Sequence, residues 1–228
     1  MPRTIASDIG SRTLTIDDAV DNFVVGDAAL PDGSLGVRLN PTPNTYVYMH
    51  DRASNGDAYK LAVGQAKTIN LWYNGQAQNA PFLFGVGQQN SSGTTAATIN
   101  WSVSTGGNSM TFNLRNNNGS FSSTGIGLGN TAGWRMLTFA FDPAAGTHGN
   151  VVCYVNGAPV ATQVIPNAIT NQGVCEFSVG ARGNYALSSV SPTAAVVAVP
   201  NVQIAKLAVF PSYLTALQIS DLYLAMVA

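Results

Sequence analysis

The stretch Gly133–Gly157, GWRMLTFAFDPAAGTHGNVVCYVNG, decides the fold. Its two β-rich runs, Trp134–Phe141 and Val151–Val155, flank a loop that is rich in glycine and breaks a strand ladder. The second run ends at Asn156-Gly157, a pair typical of the type I′ hairpin turn, because that turn needs positive φ at both central residues. The apolar run Pro159–Ile165 follows at once, so the sequence predicts a three-stranded antiparallel meander.

Further strand signals lie on both sides of this meander, at the short spacing of a sandwich. We expect Lys67–Asn74 to pair with Pro81–Gly87, and Asn116–Gly129 to be a loop, because it is poor in apolar residues. The other predicted strands are Phe23–Val25, Gly36–Leu39, Thr45–Met49, Tyr59–Val63, Ala97–Val103, Ser109–Arg115, Val174–Gly180 and Val202–Phe210.

A short helix is predicted at the C-terminus. Thr215 and Gln218 have the spacing of a capping box, in which each side chain binds a backbone N–H near the start of the helix. An apolar stripe that can lie on a sheet follows, made of Ile219, Leu222, Tyr223 and Met226. The sequence therefore predicts an all-β fold, an antiparallel two-sheet jelly-roll sandwich with a short C-terminal helix. The sandwich is expected over residues 21–228, with Trp134 in its core beside Met136.

Several segments carry a family resemblance. The order GW, LTFAFD, CYVNGAPV, then FSVGAR and VQIAKLAVFPSYLTALQISDLY, resembles the laminin-G-like, or concanavalin-A-like, jelly-roll modules. The upstream segments TYVYM and KTINLWYNG are similar to the opening strands of that family, so the resemblance runs from about Asp21 to Tyr223. It implies the jelly-roll fold. The family includes lectins, adhesins, virion proteins and enzymes, so the function has to be argued from the residues.

Composition narrows the classes of function. Charged residues make up 9% of the 228 residues, against roughly 25% in typical soluble domains. The net charge is −1 and there is no basic run, so phosphate neutralisation on a nucleic acid is not expected. No apolar run approaches the roughly 20 residues that span a membrane. A neutral polar surface of this kind suits a protein that is packed into a repeating assembly or faces the extracellular world.

The N-terminal sequence MPRTIASDIGSRTLTIDD has no continuous apolar segment, so no secretory signal is expected. We therefore expect synthesis in the host cytoplasm and assembly into a bacteriophage virion, as a capsid decoration, a head appendage or a tail module. Residues 1–20 are expected to form an arm, in which Thr13–Ile16 is the one alternating piece. The arm is either a frayed terminus or a tether to other virion proteins. A homo-oligomer, or many copies on one particle, is expected.

Catalysis is not expected. Resemblance to the retaining glucanases among jelly rolls implies a strand with two acting carboxylates, but Glu176 is the single glutamate and has no acidic residue close by. The histidines, His50 and His148, are not placed beside a nucleophile motif. The remaining alternatives to a virion protein are a free carbohydrate-binding lectin or adhesin, and a glycoside hydrolase that lacks the catalytic motif.

Candidate sites for carbohydrate and calcium can be named. Aromatic residues with a polar edge, which could stack on host glycans, are Tyr46, Tyr48, Trp101 and Tyr185. Period two places Tyr46, Tyr48 and His50 on one face of a strand, where the tyrosines could instead cover the rim of the core.

The segment that begins at Asp51 is a candidate calcium loop, with Asp51, Asn55 and Asp57 as ligands, although its third and twelfth positions are alanines. An ordinary Asx-turn loop is the alternative, and no other cofactor is expected. Cys153 and Cys175 are expected to be two buried thiols, with a disulfide as the alternative.

Overall fold

The computed structural model describes residues 3–6, 13–18, 23–39, 47–51, 58–74, 80–90, 98–106, 109–116, 120–127, 133–169, 176–179, 184–185 and 202–228. In chain order the elements are β1 (Arg3–Ala6), β2 (Thr13–Asp18), β3 (Phe23–Ala29), β4 (Leu35–Leu39), β5 (Val47–Asp51), β6 (Lys67–Asn74), β7 (Ala80–Asn90), β8 (Thr98–Gly106), β9 (Ser109–Arg115), β10 (Phe121–Gly127), β11 (Arg135–Asp142), β12 (Asn150–Val155), β13 (Ala158–Val164), β14 (Glu176–Val179), β15 (Asn184–Tyr185), β16 (Val202–Phe210) and α1 (Ala216–Val227).

The strands form two sheets within the described part of the chain. The nine-stranded sheet has the order β1-β2-β5-β14-β7-β8-β9-β10, with β15 added to β7 in parallel. The seven-stranded sheet has the order β13-β12-β11-β6-β16-β4-β3, and its pairs are antiparallel. The predicted all-β, two-sheet antiparallel sandwich with a C-terminal helix is confirmed.

The predicted meander is the β11-β12-β13 segment of the seven-stranded sheet. Asn156 and Gly157 have φ of 52° and 78°, as the type I′ turn requires. Asn156 also binds the start of β11 twice: its N–H donates to the Met136 carbonyl over 2.8 Å, and its Oδ1 accepts from the Met136 N–H over 3.0 Å. The turn residue therefore fixes both the hairpin and its contact with β11.

The main core lies between the two sheets. Its centre is an aromatic group made of Phe84, Trp101, Phe112 and Phe139, with ring centroids 5.5 to 6.2 Å apart. Cys153 lies in this core as a free thiol, and burial raises its pKa to about 12. The expectation of a buried thiol is confirmed at Cys153, whereas Cys175 lies outside the described residues.

A second apolar cluster covers the other face of the seven-stranded sheet. Trp72, Met136 and Tyr154 pack there against Ile219 of α1, so this sheet is covered on both faces. The predicted capping box is confirmed, since the Thr215 side chain accepts from the Gln218 N–H and the Gln218 side chain accepts from the Thr215 N–H.

Trp134 packs against the second cluster, which contains Met136 as predicted, but it is half-buried at the margin of that cluster and not fully inside a core. Its ring extends across the sheet and lies over Gly36, where an added Cβ would come within 2.5 Å of a ring carbon. The glycine therefore makes the space that the indole occupies.

Three predictions about strands are wrong. β6 pairs with β11 and β16, whereas β7, its predicted partner, lies in the other sheet. Part of the predicted loop Asn116–Gly129 is the edge strand β10. This strand buries only Ile126, and its backbone hydrogen bonds to β9 hold it in the sheet. Tyr59–Val63 is not a strand, because its backbone polar groups bind side chains of the sandwich instead.

The described parts of the predicted N-terminal arm lie in the nine-stranded sheet of the same chain. β1 and β2 form a hairpin, and β2 pairs with β5 from Thr15↔His50 to Asp18↔Val47. This differs from an arm outside the sandwich, because the alternating Thr13–Ile16 piece finds backbone partners on β5. Among the described helices, none has the length and apolar character needed to cross a membrane.

Candidate functional site

A row of mostly polar residues crosses the nine-stranded sheet. Strand register aligns them from β2 to β10, and we call them the outer row: Thr15, His50, Ser178, Gly85, Ser102, Asn113 and Ser123. On β14, Ser178 lies between the core residues Phe177 and Val179. Because successive residues of a strand point to opposite faces, the outer row lies on the face away from the core. Thr15 and His50 are placed by backbone register.

The outer row runs from the surface into a buried end. Ser123 is exposed and Asn113 is half-buried. Ser102 exposes 3% of its surface, and Ser178 exposes 0%. The end of the row that a ligand can reach is therefore the one on β9 and β10.

Hydrogen bonds orient the accessible end of the row. The Ser123 hydroxyl donates to Asn113 Oδ1 over 2.8 Å. Asn113 Nδ2 lies 3.1 Å from Ser104 Oγ and 3.3 Å from the Thr111 carbonyl oxygen. The amide of Asn113 therefore joins three strands, β8, β9 and β10, and its position is fixed before any ligand binds.

The buried end of the row holds a polar group without a protein partner. Within the described residues, Ser178 Oγ is buried and makes no hydrogen bond. Such a group costs about 1–3 kcal/mol when it is left unsatisfied. Ser178 Oγ is therefore an unsatisfied polar atom enclosed at the centre of the sheet.

Gly85 separates the two buried serines. Its φ is +154°, and a Cβ on this residue would lie 2.4 Å from the Trp101 carbonyl oxygen. The backbones of β7 and β8 therefore approach each other at a point where a side chain does not fit. The outer row therefore carries no side chain between Ser178 and Ser102.

An aromatic ring and one cation flank the row. Arg115 Cζ lies 5.8 Å from the centroid of Phe121, whose exposed fraction is 49%. Among the side chains of β8, β9 and β10, Arg115 alone is charged. This part of the face thus offers hydroxyls, an amide and an aromatic ring, a set that suits a neutral ligand rich in hydroxyls better than a polyanion.

The predicted glycan-stacking residues fall in different places. The prediction that Trp101 stacks on a glycan is wrong, because its side chain is 0% exposed and its indole N–H donates to the Tyr59 carbonyl over 2.8 Å. Tyr48 is on β5, at a register position opposite Asp17 and two residues before His50 of the outer row. Tyr185 pairs with Asn90 at the far end of β7. Tyr46 lies outside the described residues, so the glycan role of the three tyrosines stays a prediction.

The predicted calcium loop also stays a prediction. Asp51 is the last residue of β5 and lies opposite Phe177, whereas Asn55 and Asp57 are outside the described residues. In the part of the chain that the structure describes, no group of three or more His, Cys, Asp and Glu residues could hold a metal ion.

Sequence reasoning missed Ser102, Asn113, Ser123 and Ser178. One signal was present in β9, where the polar residues Thr111, Asn113 and Arg115 alternate with buried Met110, Phe112 and Leu114. The alignment of these polar positions with those of other strands depends on register, which the sequence of one strand does not contain.

The comparisons with known proteins find solved structures of similar fold but no matching sequence family. No family model matches the chain, and no curated protein matches it. Among solved structures, the botulinum neurotoxin type G receptor-binding domain matches with a TM-score of 0.58 and 16% identity, over 93% of this chain and 46% of that one. The receptor-binding domain of botulinum neurotoxin D matches with a TM-score of 0.61 and 12% identity, over 96% and 51%. The binding domain of Paraclostridial Mosquitocidal Protein 1 gives 0.63 and 12%, over 91% and 46%.

The chain therefore spans about half the length of these structures. At such identities the likeness establishes the β-sandwich fold, and the neighbours themselves are named as receptor-binding or binding domains.

Proposed function

We propose that this protein is a non-enzymatic binding module of a bacteriophage particle, which contacts host surface glycans through the outer row. The observation that carries the proposal is the row itself, a line of uncharged polar groups on a sheet face, open at Ser123 and leading to the unpaired hydroxyl of Ser178. The solved structures of similar fold are named as receptor-binding domains, which supports a binding role.

Carbohydrate is the ligand class that this chemistry favours. A glycan presents hydroxyl groups that both donate and accept hydrogen bonds, as do the Ser123 hydroxyl and the Asn113 amide at the accessible end of the row. Neighbouring strands are about 4.8 Å apart, a spacing similar to the length of one sugar ring. A glycan chain that crosses the strands could therefore place successive hydroxyl groups on successive positions of the row.

The particle context is supported by composition. A chain with 9% charged residues has few of the charges that keep a free protein apart from its neighbours. Such a surface suits a protein that is held in many copies by an assembly. We propose that the β1–β2 hairpin, at one end of the nine-stranded sheet, contacts other virion proteins.

An enzymatic role has less support. Glycoside cleavage needs two carboxyl groups that flank the bond, about 5 to 9.5 Å apart. Glu176 is the single glutamate of the chain, and β8, β9 and β10 contribute no carboxylate to the face. A free lectin would bind glycans through the same outer row, but it would not be part of a particle.

A glycan array with the full chain tests the binding proposal. The site variant Asn113→Ala/Ser123→Ala removes the accessible polar groups of the outer row and should lower the signal at least tenfold. The matched control Thr162→Ala/Gln163→Ala removes two polar groups from β13 of the other sheet and should leave binding unchanged. No glycan binding by the wild-type chain, or equal binding by both variants, would contradict the proposal.

The particle proposal has a separate test. Purified phage particles from cells that make the chain should contain it in many copies, as counted by quantitative mass spectrometry. A chain that binds glycans but is absent from the particles would be a free lectin, and the particle context would be wrong.

A further inference from the structure

Within the described residues, the main strand orders of the two sheets end in four edge strands, namely β1, β10, β3 and β13, and the two-residue β15 is added beside β7. An edge strand presents unpaired backbone N–H and C=O groups, which can pair with a strand of another chain. Proteins that stay monomeric protect such edges by short length, charge, proline or a bulge.

Three of the edges are protected. β1 has 4 residues and contains Arg3. β3 contains Asp27, and its pairing with β4 is irregular between Val25 and Ala29. β13 contains Pro159, which lacks the N–H donor, and its pairing shifts register where it faces Cys153 and Tyr154.

The fourth edge, β10, has none of these protections. Its sequence FSSTGIG contains no charge and no proline, and its 7 residues pair with β9 without a register shift, from Phe121↔Arg115 to Gly127↔Ser109. Phe121, Ser123, Gly125 and Gly127 are exposed, and a Cβ built on Gly125 or Gly127 would meet no atom within 4 Å. Among the residues that the structure describes, this edge is therefore regular and neutral, with open space over its two glycines.

We propose that β10 is a homodimer edge, at which it pairs in antiparallel fashion with β10 of a second copy of this chain. The strand's own sequence argues for a second copy as the partner. Two identical antiparallel strands are related by a two-fold axis. With the axis beside Thr124, Phe121 of one copy lies opposite Gly127 of the partner subunit. The large exposed ring then covers the open space over a glycine, at both ends of the pair.

Two further features favour this edge. The paired strands carry no charge, so like charges do not oppose each other across the axis. β13 lies beside β10 at the same margin of the sandwich and exposes Val160 and Val164, by 43% and 63%. Apolar surface is therefore present next to the hydrogen-bonding edge.

The dimer would extend the candidate ligand face. Ser123 is the last position of the outer row, and in this register it lies opposite Gly125 of the partner subunit. The polar faces of two nine-stranded sheets would join into one surface across the axis. The inference concerns the β10 edge and does not depend on glycan binding.

Sedimentation velocity of the full chain over a range of concentrations tests the proposal. The wild-type chain should have twice the mass of one chain at high concentration. Ser123→Lys/Gly125→Lys places four positive charges around the axis and should raise the dimer dissociation constant at least tenfold, with an unchanged circular dichroism spectrum and, at concentrations where both proteins are monomeric, an unchanged melting temperature. Both positions are exposed, so the fold should accept lysine.

The control variant is Leu217→Lys/Leu224→Lys. These α1 leucines are 71% and 56% exposed and form the other apolar candidate for a dimer surface. The control should remain a dimer. A monomeric wild-type chain, a dimer unaffected by the β10 lysines, or a dimer lost with the α1 lysines would each overturn the proposal.

Hydrogen exchange gives a second readout that does not need a variant. In the wild-type chain the amides of β10 should gain protection as concentration rises, while those of β13 should change less. Equal protection of β10 at low and high concentration would overturn the proposal, whatever the mass.

Discussion

The side chain of Asn100 holds both backbone polar groups of Leu61. The Leu61 N–H donates to Asn100 Oδ1 over 2.7 Å, and Asn100 Nδ2 donates to the Leu61 carbonyl over 3.0 Å. Asn100 is available for this contact because it is the extra residue of a bulge, between the pairs Gly87↔Ile99 and Val86↔Trp101. This amide, together with the bond from the Trp101 indole N–H to the Tyr59 carbonyl, connects the segment before β6 to β8.

Replacement of Asn100 should destabilise the protein strongly. Asn100→Ala leaves two buried backbone groups of Leu61 without these bonds, so the free energy of unfolding should fall by about 2–3 kcal/mol. Urea denaturation would measure it. Asn113→Ala is the matched control, because water can replace its bonds at a half-exposed site, and its loss should stay below about 1 kcal/mol. Equal losses in the two variants would contradict the role given to Asn100.

Gly85 should not tolerate a side chain. Gly85→Ala brings a Cβ to 2.4 Å from the Trp101 carbonyl oxygen and 2.6 Å from Ser102 Cα, so β7 and β8 must separate. We expect a loss of about 2 kcal/mol or more in the free energy of unfolding. Gly125→Ala, where the new methyl group meets nothing within 4 Å, should change it by less than about 0.5 kcal/mol. Thermal melts of the two variants would distinguish them, and a stable Gly85→Ala would show that the strands can separate at no cost.

Trp134 and Gly36 should be energetically coupled. Trp134→Ala removes a large ring from the second cluster and should cost about 3 kcal/mol, the lower end for a tryptophan. Gly36→Ala should cost about 1–3 kcal/mol, because its methyl group meets the ring. In the double variant the ring is absent, so the combined loss should be smaller than the sum. A double-mutant cycle measures this difference, and simple additivity would show that the ring can move aside.

Asp32 should give a pH-dependent contribution to stability. Hydrogen bonds from Lys206 and Ser34 lower the pKa of its carboxyl group from 3.8 to about 2. Since the folded protein has the lower pKa, the contribution is present above pH 3.8 and is lost as the pH falls toward 2. Wild type and Asp32→Asn should therefore differ most in urea melts near pH 5 and least near pH 2. A difference that is constant between these pH values would show that the pKa of Asp32 is not lowered.

Local features were predicted well from the sequence. The Asn156-Gly157 turn depends on the φ preferences of two residues, and the Thr215–Gln218 capping box depends on a spacing of three. Both signals are complete within a few residues. The strands Lys67–Asn74, Ser109–Arg115 and Val202–Phe210 were predicted with the observed bounds, because each is a run of β-forming residues with clear ends.

Partners between distant segments were not predicted. β6 is buried along almost its whole length, so its apolar run fits any neighbouring strand and does not identify β11 and β16. Trp101 is a candidate for glycan stacking from its aromatic ring with a polar edge, yet the indole N–H at that edge donates to the Tyr59 carbonyl inside the core. The outer row combines residues from strands far apart in the chain, and only the register brings them together.

The two sheets differ in how freely their sequences can change. β6 and β11 of the seven-stranded sheet pack against the main core on one face and against the second cluster on the other, so substitutions on either face of these strands disturb packing. At β9 and β10, the nine-stranded sheet buries one face, and the other carries half-exposed and exposed side chains. Substitutions on that outer face should cost little stability, so a lineage could acquire a new recognition specificity there without refolding the scaffold.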